Sequence, residues 1–153
     1  MLSKIQLFSS MREELKGPVV ENVKMVVAIE DIKDDVDPSK TVAQQHYVYL
    51  LNLREDIMEG IIITSRGYGE NVSTGETVKT SMLRHCLEVL LPNEAAKIEP
   101  IMEDVFGITN EFWVSFWADD VMYDKKFIFL PETIVEKNYN FIPQMGVKGI
   151  VVG

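Results

Sequence analysis

The sequence predicts an α+β domain, a mainly antiparallel sheet with an N-terminal helix and two central helices packed on it. Two kinds of periodicity carry that prediction. Apolar residues recur at spacings of three and four near the N-terminus and across the middle of the chain, and they alternate with a period of two elsewhere. A length of 153 residues suits one domain, taken as residues 1–153.

The elements follow in chain order. Leu2, Ile5, Phe8, Met11 and Leu15 form one helical stripe, Ser3 and Gln6 have capping-box spacing, and Gly17–Pro18 ends the segment. Val23–Ile29 alternates as a strand. Residues 30–45 are polar, and Asp34, Asp35, Asp37 and Pro38 break regular structure. His46–Arg54 sets Tyr47, Tyr49, Leu51 and Leu53 on one face of a second strand. Glu55 and Asp56 suit a turn, and Met58–Ser65, with its run of Ile61, Ile62, Ile63 and Thr64, reads as a third strand. These three strands are expected to form an antiparallel meander.

Gly67, Gly69 and Gly75 punctuate a polar loop leading into a helix over Thr77–Leu91. Its stripe is wide: Val78, Met82, Leu83, Cys86, Leu87, Val89 and Leu90. Pro92 ends that helix, and Asn93 caps another, patterned by Ala95, Ile98, Met102 and Val105 and kinked at Pro100. Phe112–Ala118 alternates as a strand, and Phe127–Leu130 is its hairpin partner across a polar connection over 118–126. Val147–Val152 supplies a last strand, weakened by glycines.

Apolar residues make up 46% of the chain and charged residues 25%, as in ordinary globular proteins. The single cysteine, Cys86, excludes an internal disulfide and a Cys₄ or Cys₂His₂ zinc site. Its place on the stripe of Met82, Leu83 and Val89 predicts a buried, unreactive thiol. The sequence has no secretory-leader pattern and no run near the ~20 apolar residues of a membrane span, so a cytoplasmic location, or a virion assembled in the cytoplasm, is expected.

The formal charge is −9 and unevenly spread, with eight acids against three bases in residues 28–60 and eight against four in residues 101–153. The longest basic run is Lys125–Lys126. Without clustered Lys and Arg to neutralise phosphates, neither nucleic acid nor an anionic membrane is an expected partner.

Motifs of chemistry fail in detail. The strand and Gly-rich segment over Ile61–Thr80 has the order of a phosphate-binding loop, but five residues separate Gly69 from Gly75, and Glu76 stands where lysine belongs. Gly67–Tyr68–Gly69 begins a dinucleotide fingerprint that Val72 breaks. Asp35, Asp37 and Ser39 begin a calcium loop, yet Lys40 replaces its glycine and His46 its closing glutamate. Asp119, Asp120 and Asp124 could hold Mg²⁺ if they converged, but a hairpin turn explains them more simply. His85 and Cys86 are neighbours that a helix would point apart. No catalytic, cofactor-binding or metal-ligating residue is assigned, and no cofactor is expected.

Aromatic residues of the last third carry the functional expectation. Trp113, Ser115 and Trp117 share one strand face, and Trp113, Trp117, Tyr123 and Tyr139 are the expected interface residues beside acidic loops. The chain then reads as a non-catalytic protein-interaction protein whose partners are other protein chains, a homo-oligomer among them. It would be a subunit of a larger assembly, such as a virion tail or connector component, or an inhibitor of a host protein. In element order alone the chain resembles small phage tail-terminator and connector proteins. The alternative is a small enzyme or ligand-binding domain whose site, built from His46, Arg66, Asp119 and Asp124, forms only in three dimensions.

Overall fold

The computed structural model describes residues 17–70 and 74–153 and is all-β. Ten strands follow one another: β1 Val23–Lys33, β2 Thr41–Asn52, β3 Met58–Glu70, β4 Thr77–Lys79, β5 Leu83–Leu90, β6 Ala95–Pro100, β7 Thr109–Ala118, β8 Val121–Phe129, β9 Asn140–Ile142 and β10 Val147–Val152. The helical content among the described residues is two single 3-10 turns, Glu103–Val105 and Glu136–Asn138.

The strands make two antiparallel sheets of five. The first has the order β6-β2-β1-β10-β9. In the second, β4 and β5 pair successive stretches of one edge of β3, β7 takes the other edge, and β8 lies outside β7. Their facing sides share one core. Met25, Val27, Val48 and Leu50 come from the first sheet, and Ile61, Ile63, Phe112, Val114, Phe116, Phe127 and Phe129 from the second. Phe112 meets Phe129 edge-on, with ring centroids 5.9 Å apart. A smaller cluster of Val26, Ala28, Leu51 and Ile142 forms on the outer side of the first sheet, so β1 is buried on both faces over these residues.

Two crossings between the sheets sit together and depend on one residue. The chain leaves β2 for β3 through residues 53–57 and leaves β5 for β6 through the turn Leu91–Glu94. Asn52, fully buried, donates from Nδ2 to the carbonyls of Asp56 and Leu90, each at 3.1 Å, while its Oδ1 accepts the Arg54 amide at 2.9 Å. Both crossings are thereby tied to the end of β2.

The expected α+β class is corrected by this architecture. The two central helices do not exist: Thr77–Leu91 is β4 and β5, and Ala95–Pro100 is β6. Eight apolar residues in fifteen satisfy a helical stripe and a two-faced strand equally well, and pairing with β3 settles the matter. Pro92 and Asn93 stop no helix and cap none. They occupy the middle of a turn in which the Glu94 amide donates to the Leu91 carbonyl at 3.1 Å and Asn93 has φ 62°, as a type II turn requires. The expected meander is also corrected, because β1 pairs β2 while β3 joins the other sheet. The glycines at 67 and 69 lie within β3, not in a loop, and the connection over 118–126 shrinks to Asp119–Asp120, both at positive φ, a two-residue hairpin turn. The N-terminal helical stripe falls outside the described residues except at its Gly17–Pro18 end. Among the described residues, no helix is long and apolar enough to cross a membrane.

Candidate functional site

Side chains alternate across a strand, so the residues of β7 that oppose the core residues Phe112, Val114 and Phe116 point outward. Strand register aligns them with outward residues of β5, β3 and β8 in rows. One row is Val89, Glu59, Trp117 and Met122; the next is Cys86, Ile62, Ser115 and Asp124; the third is Arg84, Thr64, Trp113 and Lys126. The fourth is Arg66, Glu111 and Ile128, with Met82 exposed just ahead of β5. Two tryptophans thus occupy the middle of an outer sheet face, Trp113 at 37% exposure and Trp117 at 47%.

Polar contacts fix this face. The Trp113 indole N–H donates to the Asp124 carboxylate, which also accepts the Ser115 hydroxyl at 2.9 Å. The Lys126 ammonium lies 5.0 Å from the Trp113 ring centroid. Glu111, only 4% exposed, accepts Arg66 Nε at 2.7 Å and meets Lys126 Nζ at 3.2 Å. Burial alone would raise the Glu111 pKa, but the two cations outweigh it and hold the group below its ordinary range. Beside Trp113 lies a depression of about 360 Å³ lined by Thr64, Arg66, Met82, Glu111, Trp113 and Lys126. Its lining sets two cations against one carboxylate, and Asp124, bonded to the indole, supplies a second.

The four residues expected to form one interface are separated. Trp113 and Trp117 share the outer face, but Tyr123 pairs with Phe116 on the core side of β8. Its ring stacks on Phe116 with centroids 5.1 Å apart, and the Arg54 guanidinium lies 4.5 Å above it. Tyr139 belongs to the first sheet's surroundings. Its hydroxyl is 2.8 Å from Nε2 of His46, whose ring meets Phe106 edge-on at 5.0 Å. Both line an open cleft of about 850 Å³ with Glu30, Asp31, Gln44, Glu136 and Lys148. Burial lowers the His46 pKa despite Glu103 nearby, and burial, with Glu136 and Glu103, raises that of Tyr139. At neutral pH this pair is therefore uncharged.

The alternative set does not converge either. His46 lies in the cleft and Asp119 at the β7–β8 turn. Arg66 and Asp124 share the outer face with the Trp113 row between them. Among the described residues, no three His, Cys, Asp or Glu side chains gather to hold a metal ion. Cys86 is exposed on the outer face, which corrects the expectation of a buried thiol, since a strand turns outward what a helix would have turned in.

Sequence reasoning missed one polar cluster. Glu99 of β6 accepts the Ser65 hydroxyl at 2.6 Å and meets His85 Nε2 at 3.1 Å, both through Oε1. The histidine contacts the carboxylate and not the serine, so the geometry is that of a tether between sheets. Neither this cluster nor the Arg66–Glu111–Lys126 group has any signal in the sequence, because three separate strands supply each. No known protein family matches the chain, and no curated protein matches it.

Proposed function

We propose that this chain is a non-catalytic protein-binding subunit that docks other protein chains on the outer face of its second sheet, around Trp113 and Trp117. The observation that carries the reading is the pair of half-exposed indoles in the middle of a sheet face, one of them braced by Asp124 and Lys126. Tryptophans held in a fixed orientation lose little entropy on binding and commonly contribute about 2 kcal/mol or more each when a partner covers them. The aliphatic surroundings, Ile62, Val89, Met122 and Ile128, extend the apolar surface, and Arg66, Arg84 and Lys126 alternate with Glu59, Glu111 and Asp124 as polar groups of both signs around it.

Site-specific photocrosslinking tests this reading. A photoreactive phenylalanine analogue at position 117, or at 122, is expected to give discrete protein adducts in native cells, and the same analogue at the exposed loop residue Lys137 should not. Cys86, on the same face, should be shielded from a thiol reagent in the complex and react in the isolated protein. Absence of adducts from both face positions would rule the docking face out.

A further inference from the structure

Two features of the chain match each other chemically. The first is the β1–β2 arm. β10 pairs β1 only over Met25–Ala28, and β6 pairs β2 only over Tyr47–Leu51. Residues 31–33 and 41–44 therefore run on as a two-stranded ribbon closed by residues 34–40, with Glu30 tied to Lys97 and the His46 carbonyl to the Ile101 amide at its base. The closing loop holds its own shape. Asp34 Oδ1 accepts the amides of Val36 at 2.8 Å and Asp37 at 3.3 Å, and Asp37 Oδ1 accepts the Ser39 amide at 3.2 Å and hydroxyl at 2.6 Å. These bonds turn Val36 out at the tip, 93% exposed beside the exposed Asp35. Ile32 and Val42 are exposed along the arms. Over residues 29–46 five acids stand against two lysines. A two-stranded ribbon is marginal in water by itself, and aliphatic residues at its tip add nothing to its own packing.

The second feature is the depression beside Trp113. Glu111, and Asp124 holding the indole, offset the two cations that flank the ring, and Arg84 in the neighbouring strand leaves one positive charge. Met82 and Trp113 give it apolar walls. A small aliphatic side chain flanked by carboxylates is the complement of this site, and the arm tip, Asp35–Val36–Asp37, is such a segment. The arm extends the first sheet, whereas the depression lies on the outward side of the second, so the two do not meet within one copy.

We infer that the occupant of the outer face is a second copy of this chain, whose arm tip seats Val36 between Met82 and Trp113 with its aspartates toward Arg84 and Lys126. The inference rests on the proposed docking role of the outer face. Tip and face are different patches and each copy offers one of each. Two copies can exchange arms about a two-fold axis, and where they do not, assembly proceeds head to tail into a ring or filament.

Sedimentation velocity of the full chain provides the test. The parent is expected to show species larger than the monomer that grow with protein concentration and shrink as salt is raised. An arm variant, Asp35→Lys with Val36→Ser, and a face variant, Met82→Glu with Arg84→Glu, should each weaken self-association on the order of tenfold or more. All four positions are exposed, and circular dichroism checks each fold. If a double variant misfolds, Val36→Asp or Arg84→Glu alone replaces it. Mixed in equal amounts, the two variants should form a 1:1 dimer and nothing larger, because one intact arm meets one intact face. A parent that stays monomeric at every concentration and salt overturns the inference. So does an arm variant that associates like the parent, or a mixture that stays monomeric. Crosslinks from position 117 to a different protein, with a monomeric parent, would sink this inference and leave the docking role standing; no crosslinks at all would sink both.

Discussion

At the scale of single residues, buried polar groups decide most. Asn52, itself buried, satisfies two carbonyls and one amide where the chain crosses between the sheets. Asn52→Leu keeps the volume but orphans those groups, and chemical denaturation should show a loss of about 3 kcal/mol. His46 offers a different readout. Its pKa is lowered from 6.5 by burial, so the unfolded chain binds its proton more readily. Its contribution to stability is complete above about pH 6.5 and is lost as pH falls through the lower folded value. The carboxylates Asp56 and Glu111, also depressed, lose theirs only below their ordinary values of 3.8 and 4.5. A plot of stability against pH should therefore show a first decline just below pH 6.5, and His46→Gln should remove that decline while leaving the more acidic one. An unchanged first decline would place its origin elsewhere.

Among the elements, β10 shows how a close approach overrides propensity. Its glycines weaken a strand when read singly, yet Gly149 lies opposite Ala28, where a Cβ would overlap the Val27 carbonyl oxygen and sit 3.1 Å from the Ala28 Cα. Backbone cannot yield as a flexible side chain can. Gly149→Ala is expected to cost about 2–3 kcal/mol and to loosen β10 from β1, seen as faster amide exchange at Met25–Ala28. Equal stability of the variant would show that the sheet can shift there at no cost. The same scale explains the misread helices. Leu83–Leu90 points Leu87 and Leu90 inward and Arg84 and Cys86 outward, a pattern whose three-residue step between Leu87 and Leu90 also suits a helical stripe. Pro92–Asn93 was the legible clue, since proline followed by a residue tolerant of positive φ marks a turn as well as a helix end.

For the whole molecule, the two faces of β7 divide stability from binding. Phe116 is fully buried between the sheets, and Trp117, the next residue, faces solvent. Phe116→Ala should lower stability by about 3–5 kcal/mol, whereas Trp117→Ala should change it by less than about 1 kcal/mol. Trp113→Ala should fall between, because it frees Asp124 and Lys126 from their contacts with the ring. If the tryptophan variants unfold as readily as the phenylalanine variant, the outer face is part of the core machinery and the docking face must be sought elsewhere. The acidic charge of the chain is likewise divided. The arm carries acids at its tip, while Trp113 has Arg66, Arg84 and Lys126 around it together with Glu111 and Asp124, a mixed setting where the local sequence around Trp113 and Trp117 suggested an acidic one.

The sequence by itself determined the strands β1, the latter part of β2, the first part of β3 and β7, and that Trp113 and Trp117 share one face, because period two depends only on neighbours along one strand. It also determined where the chain must turn, at Asp34–Pro38 and near Asp119. Tertiary structure alone decided the fold class, since β5 and β6 become strands through pairing with β3 and β2, partners more than twenty residues away in sequence for most of their length. It alone decided which sheet each strand joins, and it alone brought Arg66, Glu111 and Lys126 around one indole. Those outcomes come from long-range hydrogen bonding and burial, whose energies no local window of sequence contains.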